Sequence, residues 1–148
     1  MKRVPETRVS EVSKAAVSEE SVTAPLYSSR PQAGFPAPGD DQVERILDIN
    51  DLVVKNPAST FFVRVEGDSM IGAGIFGGDV LVVDRSIDPR DGNIVVAAVN
   101  GELVVKRLSY ARGQQLLLSE NEDYAPITIG DGEECFIWGV VTGSVRTF

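Results

Sequence analysis

Histidine is absent from this 148-residue chain, and there is a single cysteine, Cys135. Without histidine, no Ser-His-Asp or Cys-His triad can be assembled, and no His-ligated metal site. One cysteine allows neither an intramolecular disulfide nor a multi-cysteine zinc site. No apolar run approaches the ~20 residues that cross a bilayer. Positive charge is also scarce: 14 Lys and Arg face 22 Asp and Glu, for a net charge of −8. That excludes a generally basic nucleic-acid binder, which neutralises phosphates with clustered Lys and Arg. The opening MKRVPETRVSEVSK has two early charges and no apolar core behind them, so it does not read as a secretory signal. The expectation is a cytoplasmic protein with no cofactor, no metal and no membrane contact.

What is present divides into a tail and a domain. Hydrophobic residues make up 43% and charged residues 24%, the balance of a soluble globular domain. The length suits one such domain. Residues 1–33 are rich in Ser, Val, Glu, Ala and Pro without a sustained period, and carry a net +1. The rest carries −9, so the acid lies in the domain. Val9, Val12, Ala16 and Glu20 fall weakly on one helical face, and residues 1–33 read as a flexible arm, disordered or loosely docked. Residues 34–46 read as an extended linker, because Pro36 and Pro38 push their predecessors towards extended geometry. A short helix is expected next. Asp48 or Asn50 would cap it, Leu52 and Val53 would be its buried side, and Pro57 would stop it.

From there the pattern is strand after strand. Thr60–Glu66 places Phe61, Val63 and Val65 on one face and Arg64 and Glu66 on the other. Asp79–Asp84, Asn93–Val99, Glu102–Leu108, Gln114–Ser119 and Cys135–Val145 are further strand candidates. Asn100-Gly101 is the strongest hairpin signal, since a type I′ turn needs two positive-φ residues. Strands this close argue for a compact mostly-β domain with one short helix. Phe61, Phe62, Phe136 and Trp138 read as core, and Cys135 as a small buried apolar residue. The glycine-rich stretch 72–78 lacks the Lys-Ser/Thr of a phosphate loop and reads as turns. Glu120-Asn121-Glu122-Asp123 lacks EF-hand spacing and reads as a solvated loop, as do Asp131, Glu133 and Glu134.

With histidine excluded, one route to catalysis is a serine nucleophile with a lysine base. A lysine amine takes a proton only when neutral, and an ordinary lysine, with a pKa of roughly 10.4, is almost wholly charged at neutral pH. The chemistry therefore calls for a serine in a tight loop and a lysine embedded in apolar strand. Ser69 lies in Glu66-Gly67-Asp68-Ser69-Met70, where Gly67 permits a sharp turn and the backbone N–H groups of Asp68 and Ser69 are candidates for an oxyanion hole. Lys106 lies in Leu103-Val104-Val105-Lys106-Arg107-Leu108. Both faces of that strand are apolar, so periodicity leaves its buried face open. Taken singly, a serine after Gly-Asp is ordinarily a turn residue, and a lysine in a strand ordinarily reaches to solvent.

Taken together, the blocks resemble a known family. Gly67-Asp68-Ser69-Met70, with Gly74-Ile75, Gly78-Asp79 and Val82-Val83-Asp84 after it, is similar to the catalytic-serine block of the UmuD/LexA family of self-cleaving Ser–Lys peptidases. Gly101–Leu108 is similar to that family's lysine block, 37 residues on from Ser69 to Lys106. Ala33-Gly34-Phe35-Pro36 resembles the cleavage-site segment, and Asn121–Ile129 is also similar. The resemblance covers about residues 33–148. Gly34-Phe35-Pro36-Ala37-Pro38 and Asp48–Leu52 favour the UmuD branch over the repressors. Ala33 departs from that branch, which often has cysteine there, yet keeps a small residue. Only 33 residues precede the cleavage point, with prolines at 5, 25 and 31, too short and broken for a helix-turn-helix.

The resemblance implies a mostly-β domain of the LexA/UmuD C-terminal type and self-cleavage between Ala33 and Gly34, with Ser69 as nucleophile and Lys106 as general base. It implies stimulation by a RecA filament on single-stranded DNA, and a processed homodimer, 34–148, acting with an error-prone Y-family polymerase of the UmuC kind. No sequence-specific DNA binding is expected. Two alternatives stand beside this: a regulator from the repressor branch lacking a DNA-binding domain, and an interaction module that kept the fold and lost activity. The signal peptidases share the chemistry but need a membrane segment.

Overall fold

Asn100 and Gly101 adopt φ of +50° and +84°, and the two strands they join are rich in apolar residues. In the computed structural model this hairpin is the centre of the fold. The structure describes residues 6–16, 22–27, 43–130 and 134–148. Strands are β1 (Arg8–Lys14), β2 (Thr23–Tyr27), β3 (Val43–Asp48), β4 (Thr60–Glu66), β5 (Val80–Asp84), β6 (Ile94–Val99), β7 (Glu102–Ala111), β8 (Gln114–Leu118), β9 (Ile127–Thr128) and β10 (Cys135–Val145), with one helix, α1 (Ile49–Val53). The expected mostly-β architecture with one short helix is what the chain forms.

The main sheet runs β1-β4-β5-β10-β6-β7-β8-β9, and all its pairings are antiparallel. A further pairing of Arg8 with Val104 joins β1 to β7 and closes the first six strands into a barrel-like ring. β10, the apolar C-terminal run, is therefore interior, hydrogen-bonded to β5 on one side and β6 on the other.

Alternation along β6 and β7 sends side chains into two clusters. Val96 and Val105 pack with Val63, Val65, Met70, Ile75, Leu81 and Val83. Val95, Ala97, Val104 and Leu108 pack with Leu117 and Val140. Both faces of β7 are buried, which resolves the ambiguity in its pattern, and this is how a lysine at its middle comes to be enclosed.

Three expectations need correction. Residues 8–14 are a strand and not a helical face. Antiparallel pairing with β4 supplies a partner that local sequence does not reveal, and Val9 alone of the strand's seven residues is half-buried. α1 is capped by Asp48, whose Oδ1 accepts from Asn50 N at 2.8 Å, but it buries nothing, and Leu52 is 43% exposed. Phe136 is 60% exposed, while Trp138 meets Phe61 edge-on at 5.2 Å under the Arg85 guanidinium. β2 and β3 form a separate two-stranded sheet in which Tyr27 pairs with Val43. Residues 28–42, including Ala33 and Gly34, join these paired ends and lie outside the described residues.

Candidate active site

β4 delivers the serine. Its last residue, Glu66, is followed by Gly67 at φ +101°, a conformation that L side chains rarely adopt. The chain then turns through Asp68 and Ser69 into a short 3₁₀ turn, Ile71–Ala73. Met70, next to Ser69, is fully buried in the first core cluster and fixes the turn from below. Gly78 N donates to Val65 O at 2.7 Å and Val65 N to Asp79 O at 3.0 Å, returning the loop to the end of β4. Ser69 is itself fully buried.

β7 delivers the lysine. Lys106 is 1% exposed, and pairs across the sheet with Val95. A buried ammonium is costly unless paired and hydrogen-bonded. Here Nζ donates to Ser119 Oγ at 2.6 Å, forms an ion pair with Glu6, and lies 5.5 Å from the centre of the Tyr124 ring.

The loop after β8 ties the two halves. Glu120 O accepts from Gly72 N at 2.9 Å, and Asn121 Nδ2 donates to Asp68 O at 3.2 Å. The Tyr124 hydroxyl is 3.5 Å from Asp68 Oδ1. Burial foremost, then the negative charges of Asp68 and Glu6, push that hydroxyl above the usual tyrosine range. The Glu120 carboxylate pairs with Arg107. The stretch 120–123, read from sequence as solvated, is thus partly a brace for the serine turn. Among the described residues no group of three or more metal-ligating side chains is arranged to hold an ion.

Serine and lysine meet one segment of chain. Thr7 N–H donates to Ser69 Oγ at 2.8 Å while the adjacent residue, Glu6, pairs with Lys106. Thr7 O accepts from Val105 N at 3.0 Å, so this segment runs along the free edge of β7 as an added strand. Two neighbouring residues of one extended segment contact both side chains, 37 residues apart in sequence. The backbone of Asp68 and Ser69 lines the same turn. Glu6, Thr7 and Ser119 were not singled out from sequence, and Asn121 and Tyr124 were noted only as part of longer stretches, 120–123 and the family-like 121–129; their place depends on strand pairings and on a long loop.

Fold and site together define a mostly-β domain in which a buried serine and a buried lysine are contacted by neighbouring residues of one extended segment. Residues 25–142 match the family model described as Peptidase S24-like, and the chain belongs to that family. Protein ImpA of Salmonella typhimurium is 49% identical over 90 residues, 61% of this chain and 62% of ImpA; the match thus spans about three-fifths of that relative. Protein SamA of the same species is 44% identical over 124 residues, 84% of this chain and 86% of SamA. The LexA repressor of Xylella fastidiosa is 36% identical over 140 residues, 95% of this chain and 65% of the repressor. Among the described residues no helix is long and apolar enough to cross a membrane.

Proposed function

We propose that this chain is a self-cleaving serine peptidase of the SOS response, with Ser69 as nucleophile and Lys106 as general base. The carrying observation is that both side chains are buried and are contacted by adjacent residues of a single extended segment. The reaction is an acyl transfer. Neutral Lys106 takes the Ser69 proton, and Oγ adds to the Ala33 carbonyl carbon. The backbone N–H groups of Asp68 and Ser69 hold the oxyanion. The C–N bond to Gly34 breaks, the amine leaves with the proton from Lys106, and water then releases the acyl group from Ser69.

Small residues at 33 and 34 suit a groove with such close walls. A RecA filament on single-stranded DNA would favour the cleavable state by a population shift. The product, 34–148, would dimerise and act with a Y-family polymerase in translesion synthesis. DNA contact would be indirect, in keeping with an acidic domain.

The test is incubation of the purified chain at about pH 10, where lysine side chains begin to lose their proton, with intact masses taken over time. A fragment beginning at Gly34 is expected from wild type and from neither Ser69→Ala nor Lys106→Ala. Absence of that fragment at high pH, and again with a RecA filament added, would sink the reading.

A further inference from the structure

The groove between β4 and β7 is filled by residues near the chain's own start, and their contacts are the opposite of what catalysis needs. A nucleophilic serine needs a lone pair free to attack, and a base able to accept its proton. Here the Thr7 amide donates to Ser69 Oγ at 2.8 Å, and Lys106 is engaged as the cation of an ion pair with Glu6. The contact the serine makes is with an amide N–H, which occupies a lone pair of Oγ.

We propose that residues Glu6–Arg8 are a built-in pseudosubstrate, which must leave the groove before the segment carrying Ala33–Gly34 can enter. The inference rests on the Ser69–Lys106 reading above. One edge of β7 can pair with one strand at a time, and between Leu103 and Val105 that edge is held by Thr7 and Arg8. A segment to be cut must lie extended at the same place. The approach is close: a Cβ on Gly67 would stand 2.3 Å from Glu6 O, so Gly67 admits this backbone as well as making the turn. A 240 Å³ recess lined by Val99, Val104 and Ile127 continues the groove beside Glu6.

The strand is also fastened so that it can leave. Within β1 only Val9 is half-buried, and the ion pairs Arg8–Glu102 (3.8 Å) and Glu11–Arg64 (3.6 Å) are exposed, the kind that contributes little. Thr7 Oγ1 is buried with no hydrogen-bond partner among the described residues. A hydroxyl in that position opposes docking.

The test uses the full chain and its self-cleavage rate at one pH. Glu6→Gln removes the counter-charge of Lys106, and Thr7→Pro removes the N–H that holds Ser69. Each is expected to raise the rate about tenfold, the scale of losing one hydrogen bond or one partly exposed ion pair. Thr7→Val deletes the orphan hydroxyl and keeps the N–H, so it should slow cleavage about fivefold. Hydrogen exchange at the Val105 amide supplies a readout without catalysis. It is measured in chains carrying Ala33→Asp, whose charged side chain blocks the scissile bond. Val105 should be protected there and lose protection when Thr7→Pro is added. If wild type cleaves and both Glu6→Gln and Thr7→Pro are no faster, the pseudosubstrate is overturned. If no chain cleaves at all, the Ser69–Lys106 reading falls first and takes the inference with it.

Discussion

At the scale of the residue, Lys106 is buried and its polar partners are what a substitution can probe. Ser119 Oγ accepts from Nζ at 2.6 Å and so aims the amine. Ser119→Ala removes an acceptor from a nearly inaccessible cation. It should lower the self-cleavage rate about tenfold, a loss of the order of one hydrogen bond to a charged group. Ser119→Thr, which restores the hydroxyl, should recover most of it. Recovery by threonine separates positioning from loss of fold, and equal rates in all three chains would remove Ser119 from the site. A second buried polar group acts on stability. Asp84 accepts from Asn56 Nδ2 and Ser59 Oγ at 2.7 Å, and from Ser86 N and Oγ at 2.8 and 2.7 Å. Burial alone would raise its pKa; these bonds outweigh burial and pull it down to about 2. Asp79, hydrogen-bonded by Arg146 and opposed by its own burial, is lowered as well. Because both folded-state values lie below the unfolded ones, their stabilisation is full above about pH 4 and is lost as pH falls towards 2. Urea unfolding of Asp84→Asn should show a loss of roughly 2 kcal/mol at neutral pH. Its difference from wild type should shrink across that acid window, and a pH-independent difference would contradict the assignment.

At the scale of the element, what was legible in the sequence follows from how local each signal is. β4, β5, β6, β7, β8 and β10 were readable because alternation and turn chemistry are short-range, and Asn100-Gly101 even announced its turn type. Gly101→Val tests that turn. No atom crowds the site of a Cβ there, so the penalty is the backbone's alone, and about 1 kcal/mol is expected from chemical unfolding. No loss would mean the turn does not depend on positive φ. The exposed side of α1 was not legible, since Leu52 and Val53 carry an apolar pattern whether or not anything packs on them. Nor was β1, which lacks a regular alternation and is a strand only because β4 and β7 offer edges. Ser69 and Lys106 were singled out together through two blocks at a set spacing, and the catalytic roles given to them are the proposal's. Glu6, Thr7 and Ser119 were not singled out, because their part in the site depends on long-range pairing. The cleavage point Ala33–Gly34 lies outside the described residues, and its assignment still rests on resemblance.

At the scale of the whole molecule, the barrel is closed by a strand that the proposed reaction would detach. β1 belongs to residues 1–33, and among the described residues it alone links the edge of β4 to the edge of β7. Cutting between Ala33 and Gly34 would leave fragment 1–33 held only by noncovalent contacts: the pairings of β1, the β2–β3 ladder, and the Glu6 and Thr7 contacts to Lys106 and Ser69. Few of the residues of β1 are buried, so the cut strand should dissociate. Two edges of unpaired N–H and C=O groups would then flank Ser69 and Lys106, and such edges invite another strand. The processed chain should therefore differ from the intact one in association as well as in mass. Light scattering after size exclusion should show a homodimer of 34–148 without fragment 1–33. Its thermal midpoint at high dilution should lie ~5 °C below that of the uncut chain, the scale set by losing one lightly buried strand from a domain this size. Fragment 1–33 co-eluting with a monomer of unchanged midpoint would show that β1 stays in place after cleavage, and that the barrel does not open.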